Sequence, residues 1–72
     1  MGGNYRHSAK SICRDARDLG TFSLLTERHG QPDRFIIGFE DSVWAYYGRD
    51  GGCFITAHDG PITETLWQPR RY

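Results

Sequence analysis

Between residues 34 and 58, apolar side chains fall on both parities of a two-residue alternation, and this limits the fold more than any other feature. In extended chain Phe35, Ile37 and Phe39 point one way while Ile36 points the other. Trp44 and Tyr46 alternate with Val43, Ala45 and Tyr47, and Cys53, Ile55 and Ala57 alternate with Phe54, Thr56 and His58. Turn-forming residues interrupt the stretch at Asp41 and Ser42 and again over 49–52. Three consecutive antiparallel strands are therefore predicted, over 34–40, 43–48 and 53–58. A sheet that is apolar on both faces needs two covers.

Upstream the sequence offers one. Ser8 is a helix N-cap residue, and Ala9, Ile12, Cys13, Ala16 and Leu19 recur at helical spacing. Gly20 stands where a left-handed residue would end the helix, so a helix is predicted over 8–19. From Thr21 the period reads as two, with Phe22, Leu24 and Thr26 set against Ser23, Leu25 and Glu27, which predicts a further strand. Residues 30–33 read as a loop, and Asp59, Gly60 and Pro61 stop the strand before them. Residues 62–67 read as a terminal edge strand or a short helical turn, and the C-terminal segment could instead fold back through Ile62, Leu66 and Trp67 to bury the second face. The expected fold is α+β: one N-terminal amphipathic helix on one face of a four- to five-stranded antiparallel sheet, in the order α-β-β-β-β with a terminal β. Residues 1–72 form a single small domain in this reading, with a flexible lead-in over 1–7, the sheet over 21–67 and a tail over 68–72.

Register decides which side chains share a face. Two-residue turns at Asp41 and Ser42, and at Asp50 and Gly51, would set Phe39 opposite Trp44, Ile37 opposite Tyr46, Tyr47 opposite Phe54 and Tyr46 opposite Ile55. Phe35, Ile37, Phe39, Trp44, Tyr46, Cys53, Ile55 and Ala57 then form the face beneath the helix. Ile36, Gly38, Val43, Ala45, Tyr47, Phe54, Thr56 and His58 form the other. A bulged three-residue turn at Asp50 would exchange the faces of the last strand.

Size and charge restrict the function. A chain of 72 residues hides only about 60% of its unfolded surface, leaving a thin core and little room for a water-excluding pocket. Nine basic residues balance nine acidic ones, which gives no general pull toward nucleic acid or anionic membrane. No apolar run approaches a membrane span, and the N-terminal residues carry no secretion signal. Cys13 and Cys53 are accordingly expected as reduced, buried thiols in a cytoplasmic protein.

Chemistry-bearing patterns are sparse. Cys13, Cys53, His7, His29 and His58 could supply metal ligands, but they lack the close pairing of a structural zinc site. His58 beside Asp59 offers a base and an orienting carboxylate, yet Cys53 would point to the opposite face of its strand. Glu40 and Asp41 read as turn residues. No enzyme activity, cofactor, metal or small-molecule substrate is expected.

Two binding readings remain. The first is a non-enzymatic protein-binding module using Ile36, Val43, Tyr47, Phe54 and His58 on the uncovered sheet face, either to occlude a partner or to homodimerise. An inhibitor or adaptor of phage or mobile-element type fits this size class by association alone. The second is a nucleic-acid-binding or regulatory domain. Lys10, Arg14 and Arg17 lie on one helical stripe, Arg70 and Arg71 add terminal charge, and Tyr47 and Phe54 could stack unpaired bases.

Overall fold

The computed structural model describes residues 8–70, so the lead-in over 1–7 and Arg71 lie outside the described residues. Two helices, α1 (Ala9–Leu19) and α2 (Phe22–His29), precede four strands: β1 (Arg34–Ile37), β2 (Asp41–Gly48), β3 (Gly51–His58) and β4 (Ile62–Pro69). The strands form one antiparallel sheet in the order β1-β2-β3-β4, and the class is α+β as expected.

α1 follows its sequence signals. The Ser8 hydroxyl accepts the Ser11 N–H at 3.1 Å, and Gly20, at φ 83°, donates its N–H to Ala16 O. Ala9, Ile12, Cys13 and Ala16 are buried on the stripe that their spacing implies.

The strand expected from Thr21 is instead α2. Thr21 is an N-cap, its hydroxyl accepting the Leu24 N–H at 3.3 Å, and Gly30 closes the helix with an N–H bond to Thr26 O. Phe22 and Leu25, three apart, face the core together, and Leu25 is fully buried while Leu24 is exposed. Six residues of apparent alternation cannot tell the two periods apart; the caps at both ends decide for helix. Asp15 of α1 holds α2 in place, lying 2.9 Å from His29 Nε2 and 3.7 Å from Arg28 Nη1.

The turns also differ from expectation, although the faces survive. Asp41 and Ser42 belong to β2, and the chain reverses through residues 38–40, where the Gly38 N–H bonds Asp41 O. Phe35 therefore sits opposite Trp44, and Ile37 opposite Ser42. The next reversal uses Arg49 and Asp50, with Gly48 opposite Gly51. Trp44 pairs with Ile55 and Tyr46 with Cys53, a shift of two residues from the expected register, which keeps every side chain on its predicted face. Gly51 begins β3, opposite Gly48 and Pro69, and β4 passes so close that a Cβ there would lie 2.0 Å from Gln68 O, which leaves room for glycine alone.

Cys13 and Cys53 are joined in a disulfide that ties α1 to β3. The expectation of free thiols fails because both side chains point into the single layer between helix and sheet, 5.6 Å apart at Cα. Around them Ala9, Ile12, Ala16, Leu25, Tyr46 and Ile55 complete the core, with Phe22 stacked on Trp44 at 3.7 Å. The Tyr46 hydroxyl reaches Gly30 O at 2.8 Å, which satisfies the one polar group of that buried ring.

Phe35, Ile37 and Phe39 were expected in this core and are not. They are 61%, 73% and 102% exposed, because α1 lies over β3 and β4 and only reaches β2. β1 projects past the helical cover.

Candidate partner-binding face

Residues 62–69 add β4 to the free edge of β3, so the expected tail begins two residues later than residue 68 and the segment does not fold across the second sheet face. Pairing of Cys53 with Trp67 and Phe54 with Leu66 turns Trp67 toward α1 and Leu66 away from it. The face opposite the helices consequently carries Ile36 from β1, Val43, Ala45 and Tyr47 from β2, Phe54, Thr56 and His58 from β3, and Leu66 from β4. Ile36, Tyr47 and Leu66 are 67%, 42% and 51% exposed, whereas Val43 and Phe54 are half-buried.

The register brings Tyr47 opposite Gly52, with Phe54 two residues along β3. The two rings meet edge to face with centroids 6.3 Å apart. Both lean over Gly52: a Cβ there would lie 3.2 Å from Tyr47 Cδ1 and 3.3 Å from Phe54 Cε2. The missing side chain lets the aromatics lie down against the backbone. An open groove of about 700 Å³ results, floored by Gly48, Gly51 and Gly52 and walled by Tyr47, Phe54, Pro69 and Arg70. At its rim the Asp33 carboxylate accepts the Tyr47 N–H at 2.7 Å, fixing the strand that carries the ring.

The five expected residues share this face but line different parts of it. Tyr47 and Phe54 line the groove, while Ile36 and Val43 line a smaller apolar depression beside Phe39 and Gly38 near the β1–β2 turn. His58 stands at the far end of β3, its Nδ1 2.9 Å from Asp41 Oδ1 and its Nε2 3.7 Å from Asp59 Oδ2. The hydrogen bond to Asp41, helped by the charge of Asp59, raises the His58 pKa above its ordinary value. Leu66 was expected here only as part of a segment folding over the face, and Gln68 and Pro69 were not anticipated. Leu66 and Trp67 are adjacent apolar residues in a strand and must face opposite ways, which is the sequence signal that could have found the first.

The basic residues are elsewhere. Lys10, Arg14 and Arg17 ride on α1, which packs against the helix-facing side of the sheet, and Lys10 Nζ lies 5.2 Å from the Trp67 ring centroid. Tyr47 and Phe54 occupy the other side, so the helical stripe and the stacking aromatics point away from each other. Among the described residues of that set, Arg70 alone borders the groove. Among the described residues, no helix is long and apolar enough to cross a membrane.

Comparison with protein-family models, with curated proteins and with solved structures finds no match, and the function rests on the site itself.

Proposed function

We propose that this chain is a non-enzymatic protein-binding module acting through the uncovered sheet face. One observation carries the reading: Tyr47 and Phe54 stand over a glycine floor on a face that neither helix nor β4 covers. Aromatic rings with few rotatable bonds, held by their own backbone, lose little entropy when a partner covers them. The groove is open along its length and suits an extended segment of a partner protein better than an enclosed small molecule. Occlusion of a partner surface, as an inhibitor or adaptor would achieve it, follows from the same geometry.

Replacing Tyr47 and Phe54 with Ser tests the proposal. Partner capture should be lost while the far-ultraviolet circular dichroism stays as in the parent. The competing nucleic-acid reading expects Arg14→Glu and Arg17→Glu to matter instead, with binding that falls steeply as salt is added. Since the arginines and the aromatics lie on opposite sides of the sheet, the two variants separate the readings cleanly.

The reading of a cytoplasmic protein, made on the lack of a secretion signal, carried with it the expectation of reduced cysteines. Cys13 and Cys53 are bonded instead, and we propose that the folded form belongs in a compartment oxidising enough to keep the bridge.

A further inference from the structure

From the geometry of β1 we infer that two copies of this chain pair edge to edge through that strand, making one continuous eight-stranded antiparallel sheet. Among the described residues β1 has a sheet neighbour on one side only, and Phe35, Ile36 and Ile37 are exposed on both of its faces, followed by Phe39 in the turn. Soluble proteins normally guard such an edge with charge, proline or a covering element. The opposite edge of this sheet has those guards: β4 carries Glu64, Gln68 and Pro69 among its exposed residues. β1 carries Arg34 at its start and only apolar residues after it.

The backbone is set out for self-pairing. The carbonyls of Asp41 and Ala45 point toward β1, where they accept the N–H groups of Gly38 and Asp33. Their strand places Arg34 and Ile36 opposite Ala45 and Val43, so by antiparallel alternation these residues turn their main-chain groups inward to β2. Phe35 and Ile37 then turn theirs to the open edge. A two-fold axis perpendicular to the sheet and midway between the two Ile36 residues sets Phe35 of each copy opposite Ile37 of the other, in hydrogen-bonded pairs. Ile36 meets its own counterpart. The same operation brings Arg34 beside the 38–40 turn of the second copy, where Glu40 provides the opposite charge. An aromatic side chain across from a β-branched one is a favourable cross-strand pair.

The four exposed apolar residues offer at most about 500 Å² per copy. Edge pairing covers only part of this, which puts the interface at the small end of the range and makes the dimer a weak one. A second copy is favoured over a foreign strand because the pattern of bulk, charge and outward main-chain groups repeats under its own two-fold.

Sedimentation velocity from micromolar to millimolar chain tests this. The parent should pass from monomer to dimer. Ile37→Pro removes an outward N–H without touching the bonds to β2 and should weaken association by about tenfold or more. Ile36→Asp and Ile36→Lys should each stay monomeric, yet form a heterodimer when mixed, because unlike charges then meet on the axis. With oxidised glutathione added to take up the two electrons and two protons, Ile36→Cys should yield a disulfide-linked dimer, since facing residues at a non-hydrogen-bonded pair lie about 4.5 Å apart at Cα. Tyr47→Ser with Phe54→Ser should leave association unchanged, which separates this edge from the groove. A parent that stays monomeric at millimolar chain, a dimer indifferent to Ile37→Pro, or an Asp and Lys mixture that does not associate would overturn the inference.

Discussion

Asp50, in the turn between β2 and β3, caps a helix that begins 41 residues earlier: its Oδ1 accepts the Ala9 N–H at 2.7 Å. Its Oδ2 lies 3.2 Å from both the Lys10 N–H and the Ser8 hydroxyl. A tertiary carboxylate thus satisfies first-turn donors that Ser8 alone could not reach, and negative charge sits where the helix dipole favours it. Asp50→Ala should cost about 1–2 kcal/mol in chemical denaturation, and Asp50→Asn less, because the amide oxygen can still accept.

The same group makes stability depend on acid. Partial burial by itself would push the Asp50 carboxyl up, but the N–H groups of Ala9, Lys10 and Asp50 itself, with the Ser8 hydroxyl, together outweigh it and hold the pKa below the ordinary 3.8. A pKa lower in the folded chain than in the unfolded one stabilises the fold above pH 3.8, and that contribution disappears as pH falls through the native value. The stability gap between the parent and Asp50→Ala should therefore narrow below pH 3.8; a gap that widens there would contradict the assignment.

His58 carries the opposite sign. Its pKa is raised above 6.5 by Asp41 first and Asp59 next, so the pairing contributes fully below that pH and is lost as pH rises through the native value. A proton NMR titration should give a midpoint above 6.5, and Asp41→Asn should move it back toward that figure. The imidazole is too exposed for a measurable share of global stability to be expected.

Reduction should be costly. The bridge spans 40 residues, for which the chain-entropy model gives about 4 kcal/mol. For a domain of this size that is a large part of the whole. Addition of a strong reductant, or replacement of Cys13 and Cys53 by Ala, should lower the denaturation midpoint sharply, and equal midpoints with and without reductant would exclude a structural role for the bridge.

Two glycines with positive φ should respond unequally to Ala. At Gly51, φ 141° combines with a Cβ position 2.0 Å from the Gln68 carbonyl, so Gly51→Ala must push β4 away. A loss on the order of 3 kcal/mol is expected. Gly20, at φ 83°, has nothing within 4 Å of that position, and Gly20→Ala should cost only the left-handed penalty of about 1 kcal/mol. Thermal melts of the two variants compare them directly.

Local chemistry was enough for α1, whose caps and stripe lie within a dozen residues, and for the alternation that assigns Tyr47 and Phe54 to one face. Alternation has a period of two, so a turn displaced by one residue at each strand end moves partners without changing sides; this is why the faces were legible although the pairs were not. Residues 21–29 failed because Phe22, Leu24, Leu25 and Thr26 satisfy a short strand and a short helix equally; the caps Thr21 and Gly30 favour the helix, and packing of Leu25 beneath α1 with the Asp15 contact to His29 adds to them.

By itself, then, the amino-acid order determined the class of the fold, the first helix and the existence of an uncovered apolar face. Tertiary structure alone decided that Cys13 meets Cys53, that Asp50 closes the start of α1, and that Phe35 and Ile37 stand outside the core. The reason is one of reach: periodicity tells which side a residue faces, but how far a helix extends over a sheet depends on contacts between segments tens of residues apart.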